Sequence, residues 1–277
     1  MPEDRFECHQ GMSPVRKLMI FLGGLLGLIA LMAAGPLLLI AFDANAQDWR
    51  LASQNPRGWA PDPATYEPAI FQAYAAPTVR WRGKFADHTW IAVKKPGATT
   101  YTRYEVIGFN LRRNRSPVTA TETATPDREW YGAAPKLLRD VRGPEAEKII
   151  AKLPAAVESY PYPWSYRVWP GPNSNTFIAH LARQIPEMGL VLPGRAIGKD
   201  YTGWRIIAPT PSGTGFQISL GGLAGVALAG GEGLEVNVLG LVLGVDPLDF
   251  TLTAPGVGRL PLTDDWTNGD YKAASPP

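Results

Sequence analysis

The sequence predicts an α+β fold: a small antiparallel sheet packed on helices, a glycine-rich β-hairpin appendage and one N-terminal transmembrane helix. Three observations carry this reading. Leu18 to Phe42 runs without a charge, and about 25 residues at 1.5 Å each can cross a bilayer core of about 30 Å. From Val79 onward, short runs rich in β-formers alternate with turn signals. Two segments, opening at Gly143-Pro144-Glu145 and at Asn173 to Thr176, have the caps and apolar period of helices.

Taken in order, residues 1–17 form a polar tail ending in Arg16 and Lys17. The basic pair before the apolar run, with Asp43 and Asp48 behind it, predicts a cytoplasmic N-terminus and a main domain on the other side. A cleaved signal peptide competes with an anchor over 18–42, because Ala44-Asn45-Ala46 fits a small-x-small cleavage site before Gln47. Residues 43–78 are proline-rich and read as a tether. The α+β core spans 79–215, a glycine-rich β region 216–262 and a flexible polar tail 263–277.

Within the core, Val79 to Arg82 alternates, and His88 to Val93 reads as a strand. Lys95-Pro96-Gly97-Ala98 turns the chain back into Tyr101 to Phe109. That hairpin brings His88 near Glu105, within about two residues of register. Residues 110–128 read as a loop and Lys136 to Val141 as one more strand. Ile149, Ile150, Leu153 and Val157 give the first core helix its apolar face, and Pro154 is expected to kink or split it. Phe216 to Ala229 and Leu234 to Val245 read as two strands joined at Gly230-Gly231-Glu232-Gly233. Glu232, Glu235 and the glycines exclude a second membrane span there. Glu235 and Asn237 alternate on one strand face, expected to be solvated, and Lys199-Asp200 reads as a surface ion pair.

The loop Tyr160 to Phe177, YPYPWSYRVWPGPNSNTF, runs into a helix whose apolar positions are Phe177, Ile178, Leu181 and Ile185. Short polar residues at a helix start cap it. A nucleophile there also has free N–H groups and the positive end of the dipole beside it. Ser174 is therefore the candidate nucleophile, His88 its base and Glu105 the group that orients the base. The capping role alone is the competing account of Asn173 to Thr176.

Lys plus Arg number 27 against 25 Asp plus Glu, with no dense basic run, so no nucleic-acid partner is expected. Cys8 is the only cysteine and the histidines are His9, His88 and His180. This excludes an intramolecular disulfide and gives no metal-ligand spacing. No cofactor or metal is expected.

The stretches FADHTWIAVK, YTRYEVIGF, YRVWPGPNSNTFIAHLAR, AIGKDY, PTPSGTGFQISL and GLEVNVLGLVLG resemble a bacterial membrane-anchored family known as domain of unknown function 3750. The likeness covers roughly residues 79–262. More remotely, a histidine strand preceding a nucleophile helix resembles the circularly permuted papain-like NlpC/P60 and lecithin–retinol acyltransferase proteins. Their Asn-Cys helix start corresponds here to Asn173-Ser174, with serine in place of cysteine. The resemblance implies a permuted papain-like arrangement and a single-pass protein of the bacterial inner membrane. Its main domain would be periplasmic or extracellular, a hydrolase or acyltransferase acting on an amide or ester, with an envelope lipid or glycan as substrate. Serine lacks the acidity of a thiol and needs full general-base help. The alternative reading is a non-catalytic envelope protein that binds a lipid, glycan or protein partner.

Overall fold

The computed structural model describes residues 12–41 and 52–262. The polar N-terminal tail up to residue 11, Phe42, the Ala44–Ala46 cleavage motif and the tail 263–277 lie outside the described residues. The first helix, α1 (Pro14–Ala41), is long and apolar enough to cross a membrane. It is exposed along most of its length, and Met32 and Pro36 are its buried residues. Pro36 touches the turn at Gly256, and Gly35 the carbonyl of Pro255.

The core is a five-stranded antiparallel sheet in the order β4-β3-β2-β1-β5. Its strands are β1 (Ile70–Pro77), β2 (Asp87–Lys94), β3 (Tyr101–Val106), β4 (Val118–Thr123) and β5 (Lys136–Arg142). Two helices, α2 (Pro144–Glu158) and α3 (Ser174–Gln184), cover one face. Phe71, Ala73, Ile91 and Val93 of the sheet meet Ile149, Leu153, Phe177, Ile178 and Leu181 there. The other face gathers Ile70, Tyr74, Trp90 and Tyr101 against Trp59 and Trp130.

Several expectations change. The stretch read as a tether contains β1, which sits between β2 and β5. All but its last residue are buried, so it lacks the alternation that marks a half-exposed strand. Residues 80–84 form a 3₁₀ turn and not a strand. The expected loop 110–128 carries the edge strand β4 and the end of a 3₁₀ turn at Gly108–Arg113. Pro154 lies inside an unbroken α2, whose face at Ile149 and Leu153 is locked into the core.

The glycine-rich region is β, with no second long helix. It is a seven-stranded meander, however, and not a single hairpin. Its strands are β6 (Ile207–Pro209), β7 (Gly215–Leu220), β8 (Ala224–Ala229), β9 (Gly233–Val238), β10 (Leu241–Asp246), β11 (Thr251–Ala254) and β12 (Gly258–Pro261). Each long run breaks in two because Gly221-Gly222 and Leu239-Gly240 take positive φ and reverse the chain.

The meander is also inverted. Glu235 and Asn237, expected to be solvated, are buried with Gln217 and Ser219, while Phe216, Ile218, Leu234 and Val236 point outward and are exposed. The reason lies beneath the sheet. Lys199, also expected at the surface, is buried and donates to Glu235 at 2.6 Å. Arg183 of α3 donates to Gln217 at 2.9 Å, and Asn237 donates to Asp200. Burial pushes the Glu235 carboxyl up, and the Lys199 ammonium pulls it back. A polar layer of the core thus selects the polar face of the sheet, since buried charges need partners.

Candidate functional site

The start of α3 is fixed by its own sequence. The Asn173 side-chain oxygen accepts from the Asn175 and Thr176 N–H groups at 3.0 and 3.2 Å. Thr176 Oγ1 accepts from the Asn173 N–H at 3.1 Å, closing a capping box. The prolines before it enter through two cis bonds, Trp169–Pro170 and Gly171–Pro172.

The cap is then tied to the rest of the core. Asn173 Nδ2 donates to the carbonyls of Val168 and Ile197 at 3.1 and 3.0 Å. Thr176 Oγ1 donates to Gly198 O at 2.9 Å. Asn175 Nδ2 donates to Asp87 O at 2.9 Å and to Ile197 O at 2.8 Å, and Thr89 Oγ1 donates to Asn175 Oδ1 at 2.9 Å. Among the described residues, Ser174 is the member of this quartet whose hydroxyl makes no protein hydrogen bond. Three of the four polar residues do structural work, and Ser174 is left over.

Gly198 supports the cap from below. Its φ is +94°, and a Cβ there would lie 2.6 Å from Asn173 Nδ2 and 2.7 Å from its Oδ1. Gly198→Ala is expected to destabilise the protein by about 1–3 kcal/mol, by strain and by displacing the cap. A drop in thermal midpoint that is less than additive with that of Asn173→Ala would be the signature.

His88 and Glu105 come together as the hairpin requires. The ladder pairs Ile91 with Tyr104 and Ala92 with Arg103. Continued, it sets Glu105 across from Trp90, with His88 a diagonal neighbour on the same face. His88 Nε2 lies 3.0 Å from Glu105 Oε2, and Arg103 donates to the same oxygen at 2.9 Å. The His88 ring stacks on Trp130 at 4.0 Å between centroids, and the Arg103 guanidinium lies 4.4 Å from the Trp90 ring centroid.

Burial pushes the His88 pKa down, against the opposing pull of Glu105. For Glu105, burial acts upward, but the bond from His88 and the charge of Arg103 outweigh it and hold the carboxyl below its usual value. At neutral pH the pair is therefore a neutral imidazole beside a carboxylate. A carboxylate only accepts, so the ring proton sits on Nε2 and Nδ1 is left as an acceptor.

Strand alternation places His88 on the face opposite α3, whereas its neighbour Thr89 faces the helix. The two sides meet around the end of the sheet. A cavity of about 650 Å³ opens there, lined by His88, Ser174 and Asn175 together with apolar and aromatic groups such as Trp81, Phe109, Trp130 and Tyr166. Leu239 and Leu241 of the meander complete the wall. His88 and Ser174 thus share one cavity, and Glu105 stands behind His88. The aromatic lining had no local sequence signal, because Trp81, Trp130 and Tyr166 lie in three separate irregular segments. No group of three or more histidine, cysteine, aspartate or glutamate side chains suited to a metal ion occurs among the described residues.

A second serine–histidine contact, Ser159 with His180 at 3.0 Å, has no carboxylate behind it, and Ser159 also bonds Ala156 O. That hydroxyl caps the end of α2.

No curated protein and no solved structure matches the chain. Residues 68–201, just under half of the chain, match the family model described as Protein of unknown function (DUF3750), and Ser174, His88 and Glu105 all lie within the matched span.

Proposed function

We propose that this protein is a membrane-anchored hydrolase or acyltransferase of the bacterial envelope, acting on an amide or ester. The observation that carries the reading is the free Ser174 hydroxyl at a helix start, in one cavity with a histidine held by a carboxylate. Ser174 Oγ attacks the substrate carbonyl as His88 Nδ1 takes its proton. Glu105 fixes the ring and stabilises the imidazolium. The carbonyl oxygen gains charge at the positive end of α3, where the helix dipole favours it although the Asn175 and Thr176 N–H groups are taken by the cap. The imidazolium then protonates the leaving amine or alcohol. Water, or an acceptor hydroxyl, releases the acyl group from Ser174 with His88 again as base. The topological order of histidine strand and nucleophile helix supports a permuted papain-like ancestry, with α1 as an inner-membrane anchor and the catalytic domain outside the cytoplasm.

The non-catalytic reading also has an observation in its favour. The His88 ring is buried and clamped against Trp130, and the cavity walls are mainly apolar. Such a cavity binds an apolar ligand without chemistry.

A fluorophosphonate probe on the full chain in detergent separates the two. Labelling is expected on the wild type, and is expected to vanish in Ser174→Ala and in His88→Ala while the circular dichroism spectrum stays unchanged. Unlabelled wild type refutes the catalytic reading, and undiminished labelling of His88→Ala refutes the base role. The rate has a pH signature as well. The base must be neutral, and the His88 pKa lies below its usual 6.5, so labelling is expected to rise with pH with its half-rise below that value. A half-rise above pH 7 contradicts the assignment.

A further inference from the structure

The outer face of the seven-stranded meander is unpartnered and apolar. One lateral row crosses six strands through Phe216, Leu228, Leu234, Val245, Leu252 and Leu260, in register from one strand to the next. These side chains are 40% to 53% exposed. A parallel row contains Ile218, Val226, Val236 and Leu243. Seven strands about 4.8 Å apart, each presenting about five residues of 3.4 Å, give roughly 500 Å² of flat aliphatic surface. That is at the upper end of what a soluble monomer exposes. The polar groups of the same strands are turned inward and bonded, so the arrangement is fixed by the core and is not a misplaced strand register.

Two observations say what covers this face. The first is its connection to α1. Pro36 and Gly35 rest on the β11–β12 turn at Pro255-Gly256. The turns at that end of the sheet carry exposed Leu223, Leu239 and Val257. From Leu18, where the uncharged run begins, to Pro36, which meets the sheet, the helix runs about 27 Å, close to the hydrocarbon thickness of a bilayer. The helix therefore meets the sheet where it leaves the hydrocarbon. The second is composition. Apart from Phe216 both rows are aliphatic, without the tryptophan, tyrosine, methionine or arginine that enrich protein interfaces.

We propose that the outer face of the β6–β12 sheet lies on the lipid bilayer, its aliphatic side chains seated in the upper acyl region of the leaflet from which α1 emerges. Only side chains enter the lipid, and the paired backbone stays above it, as the cost of bare peptide groups in hydrocarbon demands. This inference is independent of any catalysis at Ser174. It requires the sheet to lie along the membrane plane while α1 crosses it.

The test uses the full chain with Cys8→Ser, reconstituted in phosphatidylcholine–phosphatidylglycerol vesicles. Single cysteines are placed at Leu228→Cys and Leu243→Cys on the face, and at Glu122→Cys on the exposed edge strand β4, and each carries an environment-sensitive fluorophore. Labels at 228 and 243 are expected to be quenched several-fold more by nitroxide-bearing phosphatidylcholine than the label at 122, and correspondingly less by aqueous iodide. Iodide quenching at 228 and 243 equal to that at 122 overturns the proposal. Protection from both quenchers also overturns it, and cross-linking between Leu228→Cys chains would then identify a second copy as the occupant. Two independent positions guard against one label disturbing the sheet.

Discussion

Glu105→Ala is expected to destabilise the protein by about 3–5 kcal/mol, read as a fall in denaturant midpoint. Glu105 accepts from both His88 and Arg103 on one oxygen, and all three side chains are buried. Its removal leaves the Arg103 guanidinium charged, dry and without an anion, and breaking one partner of a buried ion pair costs about this much. Arg103 has no reserve, because its Nε and Nη1 already lack hydrogen-bond partners and its plane lies over Trp90 and Trp130. Glu105→Gln, which keeps shape and one acceptor, should lose less.

The pH response supplies an independent check. The folded Glu105 pKa lies below its unfolded value of 4.5. Its contribution is therefore complete above pH 4.5 and is lost as pH falls through the folded pKa. His88, also lowered, withdraws stability as pH falls below 6.5, because the unfolded chain then binds the proton first. Wild type should lose stability in two acid stages. Glu105→Ala should lack the lower one, and an unchanged acid profile would contradict the buried pair.

Asn175→Ala is expected to cost about 3 kcal/mol and to loosen the Ser174 backbone along with it. The side chain makes three hydrogen bonds, buried ones with Asp87 O and Thr89 Oγ1 and a part-buried one to Ile197 O. Each lost bond is worth about 1 kcal/mol, more where the abandoned partner stays dry. Thr89 is fully buried. Asn175→Asp should be at least as damaging, since it turns a carboxylate toward two carbonyl oxygens. Faster hydrogen exchange at the α3 N-terminus and at Asp87 to Thr89, with β9 and β10 unaffected, would show that Asn175 is the bolt between helix and sheet.

What the sequence disclosed depended on how local the physics was. The α3 start was legible because Asn173 to Thr176 cap their own helix, with donors and acceptors two and three residues apart. The Pro96-Gly97 turn set the register of β2 on β3 closely enough to join His88 to Glu105. The inversion of the meander was not legible. Period-two alternation divides Leu234, Val236 from Glu235, Asn237, but does not say which set turns inward. Lys199, Asp200 and Arg183 decide that, from a distance of many residues. β1 was missed for the opposite reason. IFQAYAAP is buried on both faces, so the alternation that would announce a strand is absent, and the prolines before it suggest a tether.

The cavity wall has a consequence for biosynthesis. Its lining begins at Thr78 and closes with Leu239 and Leu241, and β1 must wait for β5 before its second edge is paired. A chain made at about 5–20 residues per second needs roughly 10–30 s between the first wall residue and the last. During that interval Ser174, His88 and Glu105 are all synthesised while one side of their chamber is still absent. The nascent chain therefore has this cavity open until the meander arrives. By then α1 has long since left the ribosome.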